Sequence, residues 1–216
     1  MSRGFDPILF DLDGTVVDTV VLIRESHRHA VRTVLGRELS DEHLVANVGK
    51  PLLEQMHAFS PEHADELYRV YREWNHAHTA ELIASYDGIN GLLDALTGDG
   101  RQLGLVTSKS RDAVDLAFRS LDVGRYFDIV VTADDSERHK PDPEPLRLAL
   151  ERLGRTVDGA CYIGDSPFDI QAGQRAGMVT VAVTWGFFGN EDLAAVRPDI
   201  TCDTVADLDR VLRGTP

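Results

Sequence analysis

The sequence predicts an α/β protein, with a parallel sheet covered by helices on both faces and an all-helical subdomain inserted near its start. Three observations carry this expectation. Short apolar or β-branched runs bounded by turn residues recur at 7–12, 103–107, 128–132, 160–164 and 179–184, each the length of a buried strand. Between them, the stretches 92–96, 113–121, 146–153 and 170–176 place apolar side chains three and four residues apart, as the inner stripe of an amphipathic helix does. Strands that alternate with such helices form parallel sheets buried on both sides. From 16 to 85 the alternation stops: no convincing strand is visible and helical segments follow one another, the longest around 61–84. The expected division is a core of residues 1–15 and 86–216 around a helical insertion of residues 16–85, with Gly88 and Gly91 restarting the core. The segment 203–213 reads as a last helix with an acidic start.

A length of 216 residues leaves room for one core domain with an inserted subdomain rather than an array of modules. With 22 Lys plus Arg against 36 Asp plus Glu, the formal net charge is −14. A surface this acidic repels phosphate backbones, so nucleic acid is excluded as an expected partner and any phosphate site must be a local arrangement of donors and metal. The balance of 43% hydrophobic and 27% charged residues is that of an ordinary globular protein. No run approaches the roughly 20 apolar residues of a membrane span. The apolar run Ile8, Leu9, Phe10 is too short for a signal-peptide core. Cys161 and Cys202 lack any metal-ligand spacing and suit a reducing compartment. A soluble, cytoplasmic protein without a membrane partner is expected, and the acidic surface leaves the oligomeric state open.

The basic residues are unevenly chosen: 19 are Arg, and the three lysines are Lys50, Lys109 and Lys140. Seven of the eight histidines fall in the helical insertion, including the pairs His27/His29 and His76/His78. Residues i and i+2 do not share a helix face, and no partner is suitably spaced for zinc, so these read as solvated side chains.

Four stretches carry chemistry. In Phe10-Asp11-Leu12-Asp13-Gly14-Thr15, the two aspartates lie at i and i+2 at the carboxyl end of the first strand, where open parallel sheets bind ligands. Their mutual repulsion must be offset by a cation or a proton, which suits a divalent metal with acid/base work. A plain strand-to-turn connection with solvated aspartates is the alternative for that motif alone. Leu105-Val106-Thr107-Ser108-Lys109 ends another strand in hydroxyls able to donate to an anion, followed by a lysine. His139-Lys140-Pro141-Asp142-Pro143 places a lysine just before a helix that starts with proline. Gly164-Asp165-Ser166-Pro167-Phe168-Asp169 puts Asp165 and Asp169 at i and i+4 where a helix begins, a position that a simple helix cap also explains. Together, Asp11, Asp13 and Asp165 form a hard oxygen set that fits Mg²⁺, while Thr107, Ser108 and Lys140 would hold phosphoryl oxygens.

The order of these motifs over residues 10–169 resembles that of the haloacid-dehalogenase superfamily, and the insertion after the first motif resembles that family's helical cap. The resemblance implies a Rossmann-like three-layer core whose strands, counted along the core, lie in the order 5-4-1-2-3. It implies Asp11 as nucleophile forming an aspartyl-phosphate, and Asp13 as the acid that protonates the leaving oxygen and then activates water. Thr107 would bind the phosphoryl group and Lys140 would steady it. Asp165 would complete Mg²⁺ coordination with Asp169 as ligand or support, and the backbone carbonyl of Asp13 rather than its side chain would be the metal contact.

Within that family, Asp13 argues against dehalogenases, which need no acid two residues after the nucleophile. Lys50, in Gly49-Lys50-Pro51-Leu52, lies in a segment that resembles the cap loop facing the active site, where it could grip a carboxylate or phosphate; a surface lysine in a turn is the alternative. Val106-Thr107-Ser108-Lys109 and Val183-Thr184-Trp185-Gly186 resemble phosphoglycolate phosphatases and their pyrophosphatase-type relatives. A closing cap favours small substrates. A small phosphorylated metabolite is therefore the expected partner, with 2-phosphoglycolate the leading substrate, ahead of pyrophosphate or a sugar-phosphate mutase reaction. A non-catalytic binding protein on the same fold is the alternative of another class. Phe168 either narrows the pocket or anchors its helix.

Overall fold

The computed structural model describes residues 4–214; residues 1–3 and 215–216, at the outer ends of the expected core segments, lie outside the described residues. The chain begins with β1 (Ile8–Phe10), then runs through β2 (Val17–Asp18), α1 (Val20–Leu35), α2 (Asp41–Val45), α3 (Leu52–Phe59), a 3₁₀ turn at Pro61–His63, α4 (Ala64–Leu82) and β3 (Ala84–Ser85). It continues through α5 (Ile89–Gly98), β4 (Leu103–Val106), α6 (Arg111–Ser120), β5 (Ile129–Val131) and α7 (Glu144–Leu153). It closes with β6 (Cys161–Gly164), α8 (Pro167–Ala176), β7 (Val179–Val183), α9 (Asn190–Ala195), β8 (Ile200–Cys202) and α10 (Val205–Arg213).

The main sheet is parallel and runs β5-β4-β1-β6-β7-β8. This is the expected 5-4-1-2-3 order of core strands, extended by β8 at the β7 edge. β8 was not among the expected strands: it is three residues long with only Cys202 buried, so it shows neither an apolar run nor a useful alternation. Neither were β2 and β3, an antiparallel ribbon where the helical insertion leaves and rejoins the core. Two-residue strands leave no periodicity to read.

Burial explains why β1 is central. Ile8, Leu9 and Phe10 are fully buried because helices cover both faces. Ile8 and Phe10 join the cluster formed with α5, α6 and α10, including Leu93, Leu96, Val114 and Leu208. Leu9 points the other way, into the cluster with Leu146, Ala149 and Tyr162 under α7 and α8. The sheet is thus the middle of three layers.

Helices α1, α3 and α4 pack around their own cluster of Ala30, Val31, Met56, Leu67, Val70 and Tyr71, with Leu44 of α2. A buried polar bridge ties α1 to α4: Asn75 Nδ2 donates to Ser26 Oγ at 2.9 Å, and Ser26 Oγ donates to Leu22 O at 2.6 Å. Val16, Val17, Leu22 and Ile83 join the main core cluster instead, so the base of the insertion is continuous with the core.

His29, His43, His57 and His63 are exposed as expected, whereas His76 and His78 are half-buried and His27 is buried. His29 and His78 flank Trp74, with ring centroids 5.9 and 4.0 Å away. His27 is fully buried between Phe59 and Tyr71, and neither ring nitrogen has a well-aligned hydrogen-bond partner. Burial pushes the His27 pKa down to about 3, with Gln55 opposing. The unfolded chain binds this proton near pH 6.5, whereas the folded chain resists it until near pH 3, so stability is lost as pH falls through that window, by at most about 1.4 kcal/mol per pH unit. His27→Leu is expected to reduce the drop in urea-unfolding midpoint between about pH 7 and about pH 4.5; an unchanged drop would show that His27 does not set it.

Candidate active site

Three strands and one helix end at the same edge of the sheet. Asp11 N donates to Ile163 O at 2.9 Å, so Asp11 is the last residue held by the β1 ladder, and its carboxylate leaves the sheet there. β6 ends at Gly164 and delivers Asp165; α8 then starts behind Ser166, whose hydroxyl accepts from Asp169 N while the Asp169 carboxylate accepts from Ser166 N, a reciprocal cap. One carboxylate oxygen from each of Asp11, Asp165 and Asp169 lies within 4.8 Å of the others, and all three residues are buried.

Three buried carboxylates repel one another unless a cation answers them. Lys140, 2% exposed, supplies one charge: its Nζ lies 2.7 Å from Asp169 Oδ1 and 3.0 Å from Asp11 Oδ1, and donates to the Tyr162 hydroxyl at 3.2 Å. The Tyr162 oxygen stands 3.0 Å from both Val106 O and Asp169 Oδ1. Lys140 reaches this point from a loop three residues longer than expected, because α7 begins at Glu144 behind Pro143. Burial acts against the Lys140 ammonium, yet Asp11 and Asp169 outweigh it and hold its pKa above the ordinary lysine value. Burial pushes the Asp11 carboxyl up to about 7, against the attraction of Lys140 and with Asp169 and Asp13 adding to the rise. Burial, then Asp169 and Asp11, likewise raise Asp165 well above the usual carboxylate range.

The donor set fits a hard divalent cation. Asp11 Oδ1 is enclosed and has no hydrogen-bond donor beyond the neighbouring ammonium, and one positive charge faces three carboxyl groups. Asp165 is held by the Phe187 N–H at 2.7 Å and by the Thr15 hydroxyl at 3.3 Å. Gly14, at φ +78°, is required beside it, since a Cβ there would lie 2.3 Å from Asp165 Oδ2. Asp169 is more committed: Ser166 takes one oxygen, and Lys140 and Tyr162 share the other.

The remaining expected residues divide. The Asp13 carboxylate turns away from the acidic cluster and accepts from Lys109 Nζ through both oxygens, at 3.0 and 3.1 Å. Thr107 Oγ1 accepts from Lys109 N at 3.2 Å, which leaves its own proton to donate. Ser108 Oγ donates to Gly49 O across to the helical insertion, at 2.6 Å. Lys50 Nζ donates to Asn47 Oδ1 at 2.9 Å and stands 4.9 Å from the centre of the Phe168 ring. Phe168 therefore meets the insertion at its tip. Gly49, at φ +102°, allows this approach, since a Cβ there would lie 2.9 Å from both the Phe168 ring and Ser166 Oγ.

Asp11, Asp13, Thr107, Ser108, Lys109, Lys50 and Asp165 line one cavity of about 660 Å³ including its mouth, with Lys140 and Asp169 behind its wall. Its other walls bring in Gln55 from α3 and Tyr71, Arg72 and Asn75 from α4, which the sequence did not single out, and His76, which was expected to be a solvated side chain. Their three- and four-residue spacing on α4 was visible, but nothing in the sequence says which stripe of a helical insertion faces the core. Tyr162 was hidden as an ordinary member of an apolar strand. Among the described residues, no helix is long and apolar enough to cross a membrane.

Comparison with known proteins adds an independent line. Residues 8–183 match the family model described as haloacid dehalogenase-like hydrolase. The pyrophosphatase PpaX of Bacillus velezensis is 40% identical over 201 residues, covering 93% of each chain. A structure described as a predicted phosphatase from Clostridium acetobutylicum superposes with a TM-score of 0.85 at 26% identity, covering 95% of this chain and 97% of its own. One described as a predicted phosphoglycolate phosphatase from Haemophilus somnus shares the fold, with a TM-score of 0.89 at 22% identity, over 98% and 99% of the two chains. With its aspartates at the strand ends, its lysine behind them and a family match over most of its length, the chain belongs to the haloacid dehalogenase-like hydrolases.

Proposed function

We propose that the protein is a Mg²⁺-dependent phosphohydrolase that cleaves small phosphoryl compounds through an aspartyl-phosphate on Asp11. The observation that carries this reading is the buried Asp11 carboxylate at the floor of the cavity, whose enclosed Oδ1 faces the Lys140 ammonium at 3.0 Å and no other donor. Asp11, Asp165 and the Asp13 carbonyl would hold Mg²⁺, whose charge when bound offsets that of the phosphoryl oxygens. Asp11 attacks phosphorus and forms a P–O bond as the bond to the leaving oxygen breaks; Asp13, in its protonated form, gives that oxygen its proton. Asp13 then takes a proton from water, whose oxygen attacks phosphorus and releases phosphate and the free Asp11 carboxylate. Thr107 donates to the phosphoryl group and Lys140 stabilises its charge. Lys109 acts through Asp13, fixing where the carboxylate oxygens point.

Inorganic pyrophosphate is the leading substrate of this proposal, supported by the relative named a pyrophosphatase at 40% identity. The second reading is 2-phosphoglycolate, since residues 106–109 and 183–186 resemble phosphoglycolate phosphatases as well as their pyrophosphatase-type relatives. Cavity size and the helical insertion over it support small molecules rather than the phosphoserine of a folded protein. A soluble cytoplasmic setting, with neither nucleic acid nor membrane as partner, belongs to the same reading.

The test is phosphate release from pyrophosphate, 2-phosphoglycolate and p-nitrophenyl phosphate, with Mg²⁺ and with chelator. Native protein is expected to need Mg²⁺, and Asp11→Asn to lose at least about a thousandfold in kcat. Equal release by Asp11→Asn would overturn the nucleophile, and release from none of the three would favour a mutase or a binding role. Lys109→Met is expected to lower kcat roughly 10- to 100-fold with a smaller change in KM, because Asp13 loses its anchor. A change confined to KM would instead place Lys109 on the substrate.

A further inference from the structure

The cavity walls carry more hydrogen-bond donors than one phosphoryl group uses, although burial and then Arg72 lower the His76 pKa and favour its neutral, still donating, imidazole. Besides Lys109, which is committed to Asp13, its walls carry Lys50, Arg72 and His76. Arg72 and His76 lie one turn apart on α4, on the face turned to the cavity. Both converge on one carboxylate of the core. Arg72 Nη2 donates to Asp112 Oδ2, and His76 Nε2 lies 3.7 Å from the same oxygen. Ser110 Oγ holds the other Asp112 oxygen at 2.7 Å. The Arg72 guanidinium is braced from behind by Tyr68, its carbon 5.5 Å from the ring centre and its Nη1 donating to the hydroxyl at 3.3 Å.

Asp112 itself does not line the cavity; it stands just outside, with its side chain 48% exposed, next to the lining residues Ser110 and Ala113. An ion pair this exposed contributes little net stability. The guanidinium can therefore exchange Asp112 for another anion at small cost, and its planar fork matches a carboxylate or a phosphate with two parallel hydrogen bonds.

We propose that Arg72 and His76 form a subsite for a second anionic group on the substrate, and that this group and Asp112 compete for the Arg72 guanidinium. The inference rests on the phosphohydrolase reading and deepens it: the preferred substrates carry a carboxylate or second phosphoryl group beyond the scissile one. Arg72 and His76 bind that group and set specificity, while Asp11 and Asp13 act on the first.

The experiment compares kcat/KM for pyrophosphate and 2-phosphoglycolate with that for p-nitrophenyl phosphate, which has no second anion. It uses native protein, Arg72→Met, Arg72→Lys and Asp112→Asn, each checked for an unchanged unfolding midpoint. In Arg72→Met the ratio of doubly anionic substrate to p-nitrophenyl phosphate is expected to fall about tenfold or more, chiefly through KM, with partial recovery in Arg72→Lys. In Asp112→Asn the ratio is expected to hold or rise, because the competing carboxylate is gone. A parallel fall for all substrates in both Arg72→Met and Asp112→Asn would overturn the proposal and leave the pair as a brace between α4 and α6. Native protein that turns over p-nitrophenyl phosphate as well as the doubly anionic compounds would overturn the subsite alone. Release from none of them would overturn the phosphohydrolase reading and this inference with it.

Discussion

The ammonium of Lys140 is the interaction on which the site and much of the core depend. Asp11, Asp165 and Asp169 come from the end of the central strand, the end of its neighbour and the first turn of α8, and all are withdrawn from water. Desolvation on that scale is tolerated only when opposite charge and hydrogen bonds compensate it. Lys140 touches two of the three carboxylates and the Tyr162 hydroxyl, so one side chain from the loop before α7 ties together β1, β6 and α8. Its compensation is incomplete by construction, and the uncompensated charge is what would attract a divalent cation.

Contacts between the helical insertion and the core are divided by kind. At the base, Val16, Val17, Leu22 and Ile83 sink into the main apolar cluster, and Trp74 and Leu82 pack against it. At the far rim the contacts are polar and few: Ser108 to Gly49, Lys50 over Phe168, and Arg72 to Asp112. An attachment that is apolar at one end and exchangeable at the other has the form of a hinge, with the cavity between.

How much of this was legible in the sequence follows from which physical signals are local. Five core strands stood out because parallel strands buried on both faces are continuous apolar runs, and Asp11, Asp165 and Lys140 stood out because charge at a strand end or beside a proline interrupts such runs. β8 and the β2/β3 ribbon are too short to carry a period. The pairing of Asp13 with Lys109 joins residues 96 positions apart, and that of Ser108 with Gly49 joins residues 59 apart, so no spacing rule announces either. His27 was misread from its polar flanks Ser26 and Arg28: its same-face neighbours Ile23, Ala30 and Val31 are apolar and buried, and Phe59 and Tyr71 from other helices close over it.

The antiparallel ribbon also bears on how such a chain can change over time. Val17 pairs with Ser85 and Asp18 with Ala84, so the backbone departs and returns along neighbouring strands, about 4.8 Å apart. Whatever lies between those points, its ends are already joined, and lengthening, shortening or exchanging it leaves the termini of the sheet where they were. Recognition can thus diverge through the part of the insertion beyond its core-packed base while the strand-end carboxylates beneath it stay in place.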